Sequence, residues 1–166
     1  MGLAVRRARA SFPGMSHRAA ALVLTALLAF PGVVAAQTVT GTPRSDDLTG
    51  TTGADTIYGR GGNDRIAGRA GNDHLSGGRG NDTIFGDAGR DVIIGGPGND
   101  TLLGGAGKDR ISGGPGSDTI AAGLGNDLVR ARDGVVDHVT CGPGRDRVIA
   151  DPQDDVAGDC EVVQRG

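Results

Sequence analysis

The chain has 166 residues, the length of one ordinary domain, yet 32 are Gly and only four are Phe, Tyr or Trp. So few aromatics exclude a compact globule with one thick core, and Gly falls short of the one-in-three recurrence of collagen. The formal charge is −3, and 22% charged residues with interspersed Ile, Leu and Val argue against plain disorder.

Residues 1–36 carry Arg6, Arg7, Arg9 and Arg18 and no acid. An apolar run from Ala19 to Phe30 follows, then Pro31-Gly32, and Val34-Ala35-Ala36 ends the stretch with small residues. This is the layout of a secretory signal peptide, with cleavage expected after Ala36. Met15 is an alternative start, because Met15 to Ala36 is a complete signal by itself. The apolar run is short for a membrane span, so no span is expected after cleavage. Sixteen Arg against one Lys suggest a GC-rich bacterial genome, and the expected location is extracellular. Cleavage leaves 13 bases and 20 acids, a formal charge of −7. That balance argues against nucleic acid and anionic membrane as partners and favours cations.

A nine-residue period fills residues 41–130 as ten blocks without a gap. The first position is Gly in nine blocks and Ala122 in the last; the fourth is Gly in nine and Arg44 in the first. The sixth is always Asp: Asp46, Asp55, Asp64, Asp73, Asp82, Asp91, Asp100, Asp109, Asp118 and Asp127. The eighth is always aliphatic: Leu48, Ile57, Ile66, Leu75, Ile84, Ile93, Leu102, Ile111, Ile120 and Val129.

Gly at positions one and four permits backbone angles closed to other residues and close approach of neighbouring turns. The first six residues therefore read as a turn and the last three as a short strand with only the eighth residue inward. Two blocks close a flattened coil of 18 residues, and equivalent residues stack at the strand spacing of ~4.8 Å. The core is then a thin double layer of Ile and Leu, which accounts for the missing aromatics. Asp46, Asp64, Asp82, Asp100 and Asp118 line one edge; Asp55, Asp73, Asp91, Asp109 and Asp127 line the other. Carboxylates this close repel unless a cation lies between them. Carboxylates joined by the carbonyls of Gly-rich turns form the oxygen ligand set of Ca²⁺, whereas Mg²⁺ keeps its waters and soft metals want His or Cys. Five Asp per edge leave four gaps per edge, hence at most about eight ions.

These blocks resemble the Gly-Gly-x-Gly-x-Asp-x-aliphatic-x nonapeptide of the RTX, haemolysin-type calcium-binding repeats over residues 41–130. The resemblance implies an all-β parallel β-roll, a right-handed β-solenoid of 18 residues per coil, with Ca²⁺ between turns. It assigns side-chain oxygens to the ten Asp and carbonyls to the Gly-rich turns. Two departures stand out: this chain has an N-terminal signal where family members often use a C-terminal one, and no lipase, protease or toxin domain is visible.

After Arg130 the Gly pattern fades, but Asp-x-Val persists at Asp137-His138-Val139, Asp146-Arg147-Val148 and Asp154-Asp155-Val156. One or two degenerate coils are expected here, acting as a cap over the open solenoid end, with calcium doubtful. Cys141 and Cys160, an even pair in an exported chain, read as a disulfide clamping that cap; a two-Cys metal site lacks nearby His. The bond closes a loop of 18 intervening residues. In the chain-entropy model that is worth about 3 kcal/mol. Residues 37–40 and the irregular first block are expected to fray.

His74 and His138 fall beside the inward aliphatic and point outward. No Gly-x-Ser-x-Gly, His-Glu-x-x-His or Gly-x-x-x-x-Gly-Lys-Ser/Thr occurs, and no nucleophile, base and orienting acid can be assembled. Thr83, Thr101 and Thr119 should form a ladder on one outer face beside Phe85 and Leu103, with Val92 and Ile94 on the other; the plain reading is the strand preference of Thr. The leading expectation is a secreted, monomeric, non-enzymatic protein that folds on binding extracellular Ca²⁺. The alternatives are an adhesin or matrix protein whose outer faces bind a cell-surface or matrix glycan or ice, and an accessory folding or secretion module for an exported enzyme.

Overall fold

The computed structural model describes residues 35–166, so nearly all of the signal segment read over residues 1–36 lies outside the described residues. The chain winds as a parallel β-solenoid of about seven turns, with no helix among the described residues. Odd strands form one sheet: β1 (Thr38–Thr40), β3 (Thr56–Gly61), β5 (His74–Arg79), β7 (Val92–Ile94), β9 (Arg110–Ser112), β11 (Leu128–Ala131), β13 (Arg147–Ala150) and β15 (Val162–Arg165). Even strands form the other: β2 (Asp47–Thr49), β4 (Arg65–Ala67), β6 (Thr83–Gly89), β8 (Thr101–Gly107), β10 (Thr119–Gly125), β12 (His138–Thr140) and β14 (Asp155–Val156). Among the described residues the strands pair in parallel throughout, and through the ten blocks equivalent residues lie 18 apart, as in Ile57↔Leu75 and Ile84↔Leu102.

The ten aliphatics of the eighth position are all buried and face one another across the two sheets. The register continues them as Val139 and Val148, both buried. Each coil thus contributes two branched side chains, one per sheet, and the core is two residues thick. The outer positions of each strand face solvent and set the register by the period of two.

The strands differ from the three-residue expectation. β6, β8 and β10 each have seven residues, and pairing runs on through the Gly-rich segment, as in Gly123↔Gly105 and Gly125↔Gly107. The reason is that glycine backbones stack as well as strand backbones do when nothing projects between them. The N-terminal end also differs: Thr38–Thr40 form β1, paired on β3 with Val39 buried, and the Gln37 N–H donates to Asp55 Oδ1.

Beyond Arg130 the stack continues for about two more coils. The offset widens to 19 at Thr119↔His138 and Leu128↔Arg147, then narrows to 17 at His138↔Asp155 and 15 at Arg147↔Val162. Cys141 and Cys160 are joined by a disulfide with their Cα atoms 5.2 Å apart. The bond ties the turn after β12 to the segment preceding β15.

Candidate metal centre

All ten Asp of the sixth position are buried, none more than 7% exposed. Each sits where a turn enters a strand, and there its carboxylate does two different things. One oxygen is engaged: the N–H of each Asp donates to Oδ1 of the Asp one coil on. Asp46, Asp64, Asp82 and Asp100 donate to Asp64, Asp82, Asp100 and Asp118 at 2.7–2.9 Å. Asp55, Asp73, Asp91 and Asp109 donate to Asp73, Asp91, Asp109 and Asp127 at 2.8 Å. Two uninterrupted ladders therefore run along the two edges.

The other oxygen has no partner. Oδ2 of Asp64, Asp73, Asp82, Asp91, Asp100, Asp109, Asp118 and Asp127 is buried and accepts no hydrogen bond. A buried carboxylate oxygen without a donor is among the costliest groups a fold can hold. Eight of them at equivalent positions are a repeated demand for positive charge. In seven of the eight, Asp64 to Asp118, the oxygen lies against the Gly that opens its own block; the Asp127 block opens on Ala122. A methyl built on Gly59 would strike both Asp64 Oδ2 and the Gly77 carbonyl. On Gly104 it would lie 2.8 Å from Asp109 Oδ2. Position one is Gly for this close approach, not for its backbone angles, which are ordinary there. The left-handed angles belong to position four, as at Gly80 (φ 125°), and to position two, where even Arg60, Arg69 and Asp87 adopt them.

Electrostatics agree with the geometry. Burial pushes Asp91 and Asp100 up to about 7; the amide bonds they accept oppose this, and neighbouring carboxylates add to it. Burial likewise raises Asp64, Asp118 and Asp127 to about 6. Asp73, Asp82 and Asp109 are raised for the same first cause. These are acids that resist ionisation unless something positive approaches.

Asp46 and Asp55, in the first coil, stand apart. Thr42 and Thr51 at the second position give both backbone N–H and hydroxyl to Oδ2 of Asp46 and Asp55. Asp55 Oδ1 accepts the Gln37 amide, so neither of its oxygens is unpartnered; Asp46 Oδ1 accepts no hydrogen bond from the described residues.

Two residues outside the ten share the pattern. Asp137 and Asp146 are fully buried, accept the Asp118 and Asp127 amides on Oδ1, and leave Oδ2 unpartnered. The persisting Asp-x-Val signal marks both, and the Asp146 block also keeps Gly142 and Gly144, whereas the stretch before Asp137 has a lone Gly134 out of register. Their blocks open on Ala131 and Cys141 in place of Gly, so a side chain stands where the other carboxylates press against a bare Cα. The ladders end when Asp137 donates to Asp154 Oδ1 and Asp146 to Glu161 Oε2. Cys141, Asp159 and Cys160 lie close together, but both sulfurs are in the disulfide, and Asp159 accepts the Cys141 and Gly142 amides.

A row of buried, donor-less carboxylates repeated every nine residues is what decides the family. The model described as RTX calcium-binding nonapeptide repeat (4 copies) matches residues 40–75, 68–102 and 94–129. The chain belongs to that family. No curated protein matches it. The family's ion fits the residues present: hard oxygens only, arranged in ladders, with charge left uncompensated inside the protein.

Proposed function

We propose that the protein is a secreted, non-catalytic calcium-binding β-roll that folds on meeting extracellular Ca²⁺. The observation carrying this reading is the row of buried Asp oxygens without donors. When bound, the ion supplies the positive charge that stacked carboxylates otherwise lack. Asp64, Asp73, Asp82, Asp91, Asp100, Asp109 and Asp118 are the strongest ligands, each with a free Oδ2 beside a Gly of its own block. Asp127, Asp137 and Asp146 keep the oxygen but follow Ala122, Ala131 and Cys141, so their sites are weaker. Asp46 and Asp55 hold the first coil through Thr42 and Thr51. The signal-like segment over residues 1–36 and the disulfide support export, since such bonds persist in oxidising compartments.

The residues act in two ways. The Oδ1 ladders set the vertical register of the coils, and the Oδ2 row makes that register conditional on cation. A core two residues thick offsets little chain entropy, so ordering and binding are one event. Isothermal titration calorimetry with Ca²⁺ tests this: several ions per chain are expected, fewer in Asp82→Asn, and no heat above dilution would sink the reading.

A further inference from the structure

The formal charge of −7 after residue 36 does not describe the surface. Fourteen Asp are buried among the coils. Only Asp47, Asp87, Asp155, Asp159 and Glu161 are exposed, with Asp133 half-buried, whereas all thirteen Arg and Lys of the described region are exposed. Once the interior carboxylates are neutralised, the molecule presents a cationic exterior.

Those cations are concentrated on the outer face of the odd-strand sheet. Arg90 and Lys108 enter β7 and β9 from adjacent coils of one edge. Arg110, Leu128 and Arg147 are register partners across β9, β11 and β13, and Arg130 projects from the far end of β11. Two contiguous shallow grooves run over this face, floored by Val92, Ile94 and Leu128 and walled by Arg90, Lys108, Arg110 and Arg130. Among the described residues the one ion pair is His138–Asp155, on the opposite sheet. No exposed carboxylate pairs with the row, although the buried Asp91 lines the groove beside Arg90; Arg90 and Lys108, on adjacent coils ~4.8 Å apart, repel unless an anion joins them.

We propose that this face binds an anionic polysaccharide laid along the solenoid axis, its acidic groups on the Arg and Lys row and its sugar faces on the apolar floor. The groove is linear, shallow and periodic, matching an extended chain of repeating charge. Duplex DNA is read by elements that enter a groove, and single strands by successive aromatic platforms; this face has no protruding element and a single exposed aromatic, Tyr58, two coils from Ile94. It also lacks the large apolar anchors of an interfacial membrane binder. The proposal rests on the calcium reading, because the row exists only when the coils are stacked.

The test measures binding of a heparin dodecasaccharide, neutral dextran, a duplex DNA oligomer and phosphatidylglycerol vesicles to the full chain in Ca²⁺. Heparin should bind most tightly and dextran not at all. Arg110→Glu with Arg147→Glu should weaken heparin by at least about tenfold, while Arg65→Glu on the opposite sheet leaves it unchanged. Should the double variant misfold by circular dichroism, Arg110→Gln with Arg147→Gln replaces it. Equal losses in both variants, tighter binding of DNA or vesicles, or no heparin binding by the folded protein would overturn the proposal. A chain that is folded and binds heparin in chelator would overturn the calcium reading while upholding the surface.

Discussion

The backbone N–H of Asp64 donates to Oδ1 of Asp82 at 2.7 Å, one full coil away, while Oδ2 of the same Asp82 carboxylate is buried without a donor. One side chain therefore both aligns two coils and leaves a charge between them. The two roles are separable by substitution. Asp82→Asn keeps an oxygen for the Asp64 amide and removes the charge, so it should weaken Ca²⁺ binding yet lower the need for it. Asp82→Ala also orphans the Asp64 amide, which should cost a further ~1–3 kcal/mol. Chemical denaturation in chelator and in Ca²⁺ distinguishes them; identical behaviour of the two variants would contradict the dual role.

Position along the stack should matter as well. Asp46→Ala should affect calcium titrations less than Asp82→Ala, because the Thr42 amide and hydroxyl already satisfy the Asp46 Oδ2 whereas the Asp82 Oδ2 has no donor. Equal effects in calorimetry would count against the assignment.

The buried carboxylates also fix a pH dependence. Their folded pKa values lie above the ordinary range, at about 6 to 7 for Asp64, Asp91, Asp100, Asp118 and Asp127. Such groups contribute stability that is full below the unfolded value of ~3.9 and is lost as pH rises through the folded values. The calcium-free roll should therefore gain β-structure in mild acid and lose it towards neutrality. Circular dichroism in calcium-stripped buffer across that range checks the sign, and a roll that dissolves on acidification would contradict it.

Close approach makes a sharper prediction at Gly59. A methyl there meets Asp64 Oδ2 and the Gly77 carbonyl, neither of which is a flexible tip. Gly59→Ala should destabilise the calcium-loaded protein by about 1–3 kcal/mol and weaken binding, although Ala is the better β residue on propensity alone. An unchanged melting curve would show that the turn has room.

Much of this architecture was legible in the repeat. The ten aliphatics from Leu48 to Val129 are the core and the ten Asp are buried beside them, because a strict period leaves no alternative register. The extent of the strands was not legible: Gly104 to Gly107 carry little side-chain pattern, and their pairing follows from contact with the coil on either side. Asp137 and Asp146 are harder to read, since the Gly that opens a block is replaced by Ala131 and Cys141, although Gly142 and Gly144 persist before Asp146. The surface charge was misjudged for a similar reason, as composition counts Asp and Arg alike whereas the fold hides most of one and none of the other.

Dependence of folding on Ca²⁺ is read plainly by far-ultraviolet circular dichroism at neutral pH, titrating Ca²⁺ into chelated protein. A spectrum with little β-structure is expected in chelator, with a cooperative gain as Ca²⁺ is added. A full β spectrum in chelator, unmoved by Ca²⁺, would contradict it.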